Sequence, residues 1–243
     1  MSARLTHATA ARVLSQLRHD HRTLAVMLAL PCVLLGLVAW IFDGTPVLDR
    51  FGPLLLGLFP MIVMFLVTSV ATLRERTTGT LERLMATPIG RGDVVAGYAL
   101  AFGLAAVVQA LVLTGVAVGL LGMDVAGPVW VVGLVAVLNA VLGSTLGLAA
   151  SVLARTEFQA VQLMPAIVFP QILTCGILLP RDQMPALLEA VSRVLPLTYG
   201  VDALQVLAAG GGLVDVRGDV LVLTGFILAA VLVGATTLRR RTP

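Results

Sequence analysis

Six stretches of this chain, residues 24–42, 53–73, 94–121, 129–153, 160–179 and 220–238, are apolar and hold no Asp, Glu, Arg or His in their interiors. A bilayer core of about 30 Å is crossed by about 20 such residues as a helix, the one local structure that satisfies its own backbone groups in lipid. The chain is 58% hydrophobic and only 12% charged, with a mean hydropathy of +1.02. A soluble domain carries roughly 25% charge, so water cannot be the solvent for most of this surface. The sequence predicts an all-α integral membrane protein: one transmembrane domain over residues 1–243 with six spans.

All sixteen basic residues are arginine. Without lysine there is no phosphate-cradling P-loop and no Schiff-base chemistry, so ATP hydrolysis by that route is excluded. The net charge of +3 is too small to point to nucleic acid. Its distribution sets orientation. With the N-terminus in the cytoplasm, Arg4, Arg12, Arg18, Arg22, Arg74, Arg76, Arg83, Arg91, Arg155 and Arg239–Arg241 all lie inside. Arg50, Arg181, Arg193 and Arg217 then lie outside among most of the acids. The N-terminal run is too long for a signal peptide and lacks a cleavage site, so it is expected to remain. Cys32 and Cys175 fall in apolar runs and read as small buried hydrophobes.

Within residues 1–22, Ala10, Val13, Leu14 and Leu17 share one helical face and Arg12, Gln16, His19 and Arg22 the other. The pattern predicts an interfacial amphipathic helix on the cytoplasmic leaflet, with docking on protein as the alternative. Pro165 and Pro170 predict a kink or break in the fifth span. Gly143 and Gly147, four apart, predict close packing of the fourth span, inside the chain rather than against a second copy. Residues 180–219 are too apolar for a polar loop, yet each half is too short to cross. Met184-Pro185 is expected to open one half-helix and Pro196 to stop it before a second, apolar one. A re-entrant hairpin capping the outer end fits, with two helices lying flat on the surface as the alternative.

Catalysis has little to work with. His7, His19 and His21 all precede the first span, out of reach of Ser144 or Ser151, and no HExxH, CxxC or metal-spaced cluster occurs. Ion-driven transport ordinarily leaves ionisable groups inside spans, and here the interiors offer only neutral polar side chains. Thr68, Gln109, Asn139, Gln162, Gln171 and Thr174 are the candidate substrate-path residues, with Ser69 and Thr114 beside them; interhelical hydrogen bonding is their other reading. Energy is therefore expected to arrive mechanically from outside the membrane.

The point of delivery is the loop at residues 74–93. Charge begins at once after the second span with Arg74-Glu75-Arg76, and Gly79 can adopt a backbone that other residues resist. Thr80 can cap a short helix through Leu81, Glu82, Arg83, Leu84 and Met85, which Thr87-Pro88 ends. Leu81, Leu84 and Met85 give that helix an apolar face to seat in a partner, and Glu82 and Arg83 set its register. Force on it would tilt two spans.

The cassette RERTTGTLERLMATPIGR resembles the signature of type-2 ABC-transporter permeases at Arg74, Glu75, Gly79, Thr80, Leu81, Glu82, Thr87 and Pro88. A second match runs from Gly176-Ile177-Leu178-Leu179-Pro180 through Met184-Pro185 to Pro196-Leu197-Thr198-Tyr199 and Asp202-Ala203. It is similar to the family's outer hairpin, with Pro180, Met184, Pro196 and Tyr199 at the expected outer gate. Within the family the chain looks most like daunorubicin-resistance-type export permeases. The resemblance implies a non-catalytic subunit in a bacterial plasma membrane, exporting a drug or lipid-like substrate. It implies a partner permease, a second copy or a paralogue, and separate cytosolic ATPase subunits that bind the ATP and Mg. This chain would then bind no cofactor, and residues 81–85 would be the coupling helix. Thr77-Thr78 departs from the family pattern, where charge is more common. A single-chain secondary transporter or channel, and a passive scaffold, are the competing readings.

Overall fold

The computed structural model describes residues 3–79 and 90–237. Every regular element among them is helical: α1 (Ala3–His19), α2 (His21–Ile41), α3 (Val47–Thr77), α4 (Arg91–Gly119), α5 (Val129–Leu153), α6 (Glu157–Thr174), a 3-10 turn (Arg181–Gln183), α7 (Ala186–Ser192), α8 (Pro196–Ala208) and α9 (Leu213–Thr237). Among the described residues four helices, α2 to α5, are long and apolar enough to cross a membrane. The shorter α6 carries Glu157, Gln159, Gln162 and Gln171, and α9 opens with Asp215, Arg217 and Asp219. The expected coupling helix, with Thr80, Leu81, Glu82, Arg83, Thr87 and Pro88, lies outside the described residues.

The centre of the bundle is the crossing of α3 and α5. A Cβ on Gly143 would stand 2.1 Å from the Met61 carbonyl oxygen, and one on Gly147 2.5 Å from that of Phe65. Two glycines on one face of α5 thus meet two carbonyls on one face of α3, each pair four residues apart. The small-residue spacing serves packing within the chain, as expected. Met61, Met64, Phe65 and Leu142 fill the flanks at almost no exposure.

Several expectations are corrected. The apolar stripe of α1 does not face the leaflet: Ala10, Val13 and Leu17 are buried, and Gly97 of α4 sits so close that a Cβ there would be 2.6 Å from Thr9. The alternative, docking on protein, holds. The fifth apolar run is neither broken at Pro165 or Pro170 nor helical to residue 179; α6 runs through both prolines and ends at Thr174, where Gly176 takes φ +93. Pro196 does not stop the first half-helix, which ends at Ser192; it opens α8 at the first helical turn, where its missing N–H costs nothing. As expected, α3 ends within the Thr77-Thr78-Gly79 step, with Gly79 at φ +72.

α8 lies along the first half of α5. Gly200 meets Asn139, Leu204 reaches Gly57 of α3, and the Leu207 carbonyl is 2.5 Å from where a Cβ on Gly127 would be. The start of α8 is therefore level with the middle of α5, and Pro196 shares a cavity lining with Leu142 and Leu146.

The crossing makes a sharp forecast. Gly143→Ala should lower the thermal midpoint in detergent by the equivalent of about 1–3 kcal/mol, because the new methyl meets backbone. Gly115→Ala, where a Cβ meets nothing within 4 Å, should be neutral or stabilising through helix propensity. Equal effects would contradict the packing.

Candidate functional site

The last turn of α3 presents Arg74, Glu75 and Arg76 in succession. Neighbours on a helix point about 100° apart, so three consecutive side chains reach three directions. Arg74 donates from Nε to Glu157 Oε1 at 3.0 Å and from Nη2 to Oε2 at 3.2 Å. Glu157 opens α6, where the exposed backbone N–H groups also favour a carboxylate, and its pKa is lowered chiefly by the Arg74 hydrogen bond. Arg76 donates to the Ser151 carbonyl, one of the last-turn oxygens that α5 cannot satisfy itself.

Glu75 holds the most enclosed pair. Arg12 of α1 donates from Nη1 to Glu75 Oε1 at 3.2 Å and from Nη2 to Oε2 at 2.9 Å, and Nη2 also donates to the Tyr98 hydroxyl at 3.1 Å. Tyr98 of α4 in turn donates to Glu75. A bidentate guanidinium–carboxylate pair is the strongest form of such a contact, and the side chains keep only 27% and 15% exposure. One turn of α3 is thus tied to α1, α4, α5 and α6. The Arg74–Glu157 pair is half-exposed and worth about 0–1 kcal/mol by itself; the Glu75 cluster carries more. Asp93 closes the first turn of α4 by accepting the Gly90 N–H at 3.2 Å.

Half of the six candidate path residues, Gln109, Gln171 and Thr174, are spent on backbone. Pro31 removes the donor that would serve the Met27 carbonyl four residues earlier, and Gln109 of α4 supplies it at 2.8 Å. Thr174 donates to the Pro170 carbonyl at 2.8 Å. Gln171 donates to the Ile167 carbonyl at 3.0 Å and its Oε1 faces the Leu197 N–H at 3.4 Å. Thr68 is fully buried with its hydroxyl unpartnered, as is the Asn139 amide, among the described residues. Each such orphan costs about 1–3 kcal/mol. Gln162 is exposed.

At the hairpin, the hydroxyls of Thr198 and Tyr199 donate to the Ser192 and Arg193 carbonyls at 2.8 and 2.7 Å, closing the end of α7. The Tyr199 ring leans on Phe226 at 6.1 Å. Met184 is buried, whereas Pro180 is exposed. Pro180 lines a cavity of about 910 Å³ with Asp49, Asp124, Arg181, Asp202 and Gln205. Arg181 pairs with Asp202 at 3.0 Å.

Arg12, Tyr98, Ser151, Glu157, Thr198, Arg181 and Asp202 were not among the expected site residues. The alternation of charge around Arg74 was visible, but its partners lie 23 to 83 positions away along the chain, and one of them is a main-chain oxygen with no side-chain signature. Thr198 and Asp202 stood inside a recognised motif without a role.

Burial pushes the Asp202 carboxyl up to about 6 despite Arg181. Between its ordinary value of 3.8 and about 6, the folded chain holds a proton the unfolded chain has released, so this group's contribution to stability falls as pH rises through that window. Asp202→Asn should therefore gain thermal midpoint over the unsubstituted chain at the upper edge of the window and little at the lower edge. Thermal unfolding in detergent across the window measures this; a difference that does not change with pH would contradict it.

Comparison with known proteins agrees with the family resemblance. The ABC-2 type transporter family matches residues 4–208. ABC transporter G family member 20 of Dictyostelium discoideum is 29% identical over 68% of this chain and 23% of its own length. A probable multidrug ABC transporter permease of Escherichia coli, YbhS, is 28% identical over 63% of this chain and 41% of its own. Nodulation protein J of Rhizobium meliloti is 24% identical over 85% of this chain and 79% of its own. The matched region thus spans less than half of the first two relatives. This multi-helical membrane chain belongs to the ABC-2 type transporter family.

Proposed function

We propose that the chain is the permease subunit of an ATP-binding-cassette exporter, moving a hydrophobic or amphipathic substrate, a drug or lipid-like molecule, out of a bacterial cell. The observation that carries this reading is the last turn of α3. Arg74, Glu75 and Arg76 bind four other helices to one point, just before the coupling helix expected to seat in an ATPase. A push on residues 80–89 is then delivered to α1, α3, α4, α5 and α6 together rather than to one span.

Six spans cross the membrane on this reading: α2 to α5 with α6 and α9, both chain ends facing the cytoplasm. α7 and α8 form the re-entrant outer hairpin. Supporting that, the start of α8 is level with the middle of α5, and the carbonyls freed at the α7–α8 turn are taken by Thr198 and Tyr199. Irregular backbone at membrane depth needs such cover. A pathway lined by aliphatic groups and neutral amides suits an amphiphile and offers no ion a binding charge. ATP and Mg are held by separate cytosolic subunits, and a second permease, copy or paralogue, completes the pathway.

Proteoliposomes containing this chain, a partner permease and the ATPase should export amphiphiles only with ATP. Glu82→Ala or Leu81→Ala should reduce export at least tenfold while ATP hydrolysis continues and the spans stay folded. Transport by the chain alone down an ion gradient would replace this reading with that of a secondary transporter.

A further inference from the structure

Asn139 sits at the middle of α5 with no exposed surface, and neither its amide oxygen nor its amide nitrogen has a hydrogen-bond partner among the described residues. Glycines line the slot on both sides. A Cβ on Gly200 of α8 would stand 2.2 Å from Oδ1, and one on Gly57 of α3 would stand 2.9 Å from Nδ2 and 2.4 Å from Leu204 Cδ1. Because both amide atoms are orphans, exchanging the oxygen and nitrogen changes nothing. Interhelical hydrogen bonding, the usual service of a membrane amide, is not what this geometry provides.

The seat of α8 is otherwise apolar: Leu197, Val201, Leu204 and Leu207 are each exposed by 1% or less. Those side chains favour the seated helix. The amide opposes it, because a buried polar group without a partner is worth more in any state that returns one to it. We infer that Asn139 is a built-in bias toward opening of the outer hairpin: it holds the seated and withdrawn positions of α8 close in free energy. A modest push from the far end of α3 and α5 then suffices to unseat the helix, and the withdrawn state presents the amide to water or to a hydrogen-bonding group on the cargo. The inference rests on the hairpin being the outer gate, and its test reads the seating of α8 without transport.

The assembled transporter, with Cys32 and Cys175 replaced by alanine, carries Val201→Cys, a position 1% exposed while α8 is seated. The rate of its reaction with a water-soluble maleimide, nucleotide-free, reports withdrawal. Asn139→Leu, nearly the same shape without the polar atoms, should slow labelling about tenfold, and Asn139→Asp should speed it. Gly200→Ala, whose methyl collides with the amide, should also speed it, and adding Asn139→Ala should return the rate close to its starting value. Equal rates for the leucine and aspartate variants would overturn the inference. So would a leucine variant that labels fastest, or one that fails to assemble, since leucine is the better-suited side chain on this account. Adding ATP to the parent protein tests the gate separately: labelling that ignores ATP while the leucine–aspartate order holds removes the gating role and leaves the bias.

Discussion

The bidentate pair of Arg12 with Glu75, shared with Tyr98, is the contact on which the arrangement of this chain depends. A carboxylate at the end of a long apolar helix needs compensation where the helix leaves hydrocarbon. Glu75 takes it from α1 and α4 rather than from water alone. Its neighbours Arg74 and Arg76 do the same with α6 and α5. Four helices are therefore held around the end of α3 by directional, charge-assisted bonds, of which the enclosed Glu75 cluster is the strongest.

The opposite half of the molecule is built differently. There α3, α5 and α8 meet through glycines at Gly57, Gly127 and Gly200, aliphatic contacts and an amide that gains nothing from the closeness. Dispersion and shape hold that end, and a small sliding movement changes them at little cost beside the breaking of an enclosed ion pair. A chain that is stiff and polar at one end and closely fitted but weakly committed at the other has the mechanical character a transmitted push requires. Polar side chains of α4 and α6 turn to backbone: Gln109 serves the Met27 carbonyl freed by Pro31, and Thr174 donates to the Pro170 carbonyl one turn earlier in its own helix. α2 runs continuously through Pro31, and α6 through Pro165 and Pro170.

Much of this was legible in the residues. The apolar runs located the long helices, matching Val129–Leu153 at both ends but missing the start of α3 by six positions, the end of α6 by five and the start of α9 by seven; lipid fixes an apolar length, not where a helix begins or ends. Gly143 and Gly147 announced close packing, and Gly79 announced the end of α3. Other features depended on what the chain meets after folding. Periodicity gave the apolar stripe of α1 but not its cover, since lipid and the flank of α4 are equally apolar. The prolines of α6 promised a kink or a break, because each removes the N–H that would serve the carbonyl four residues earlier, yet α6 continues through both. Pro196 was read as a stop although proline is at home in a first helical turn. At the candidate site the charged triplet was evident and its partners were not, because pairing across four helices is a property of the bundle.

The most direct measurement places one spin label on α1 at Ser15, a second on α4 at Gly103 and a third on α8 at Gln205, and reads pairwise distances in the assembled transporter with and without ATP. The account predicts that the α1–α4 distance stays fixed within the width of its distribution while the distance from either to α8 changes. Separation of α1 from α4 on ATP binding, with α8 unmoved, would contradict it.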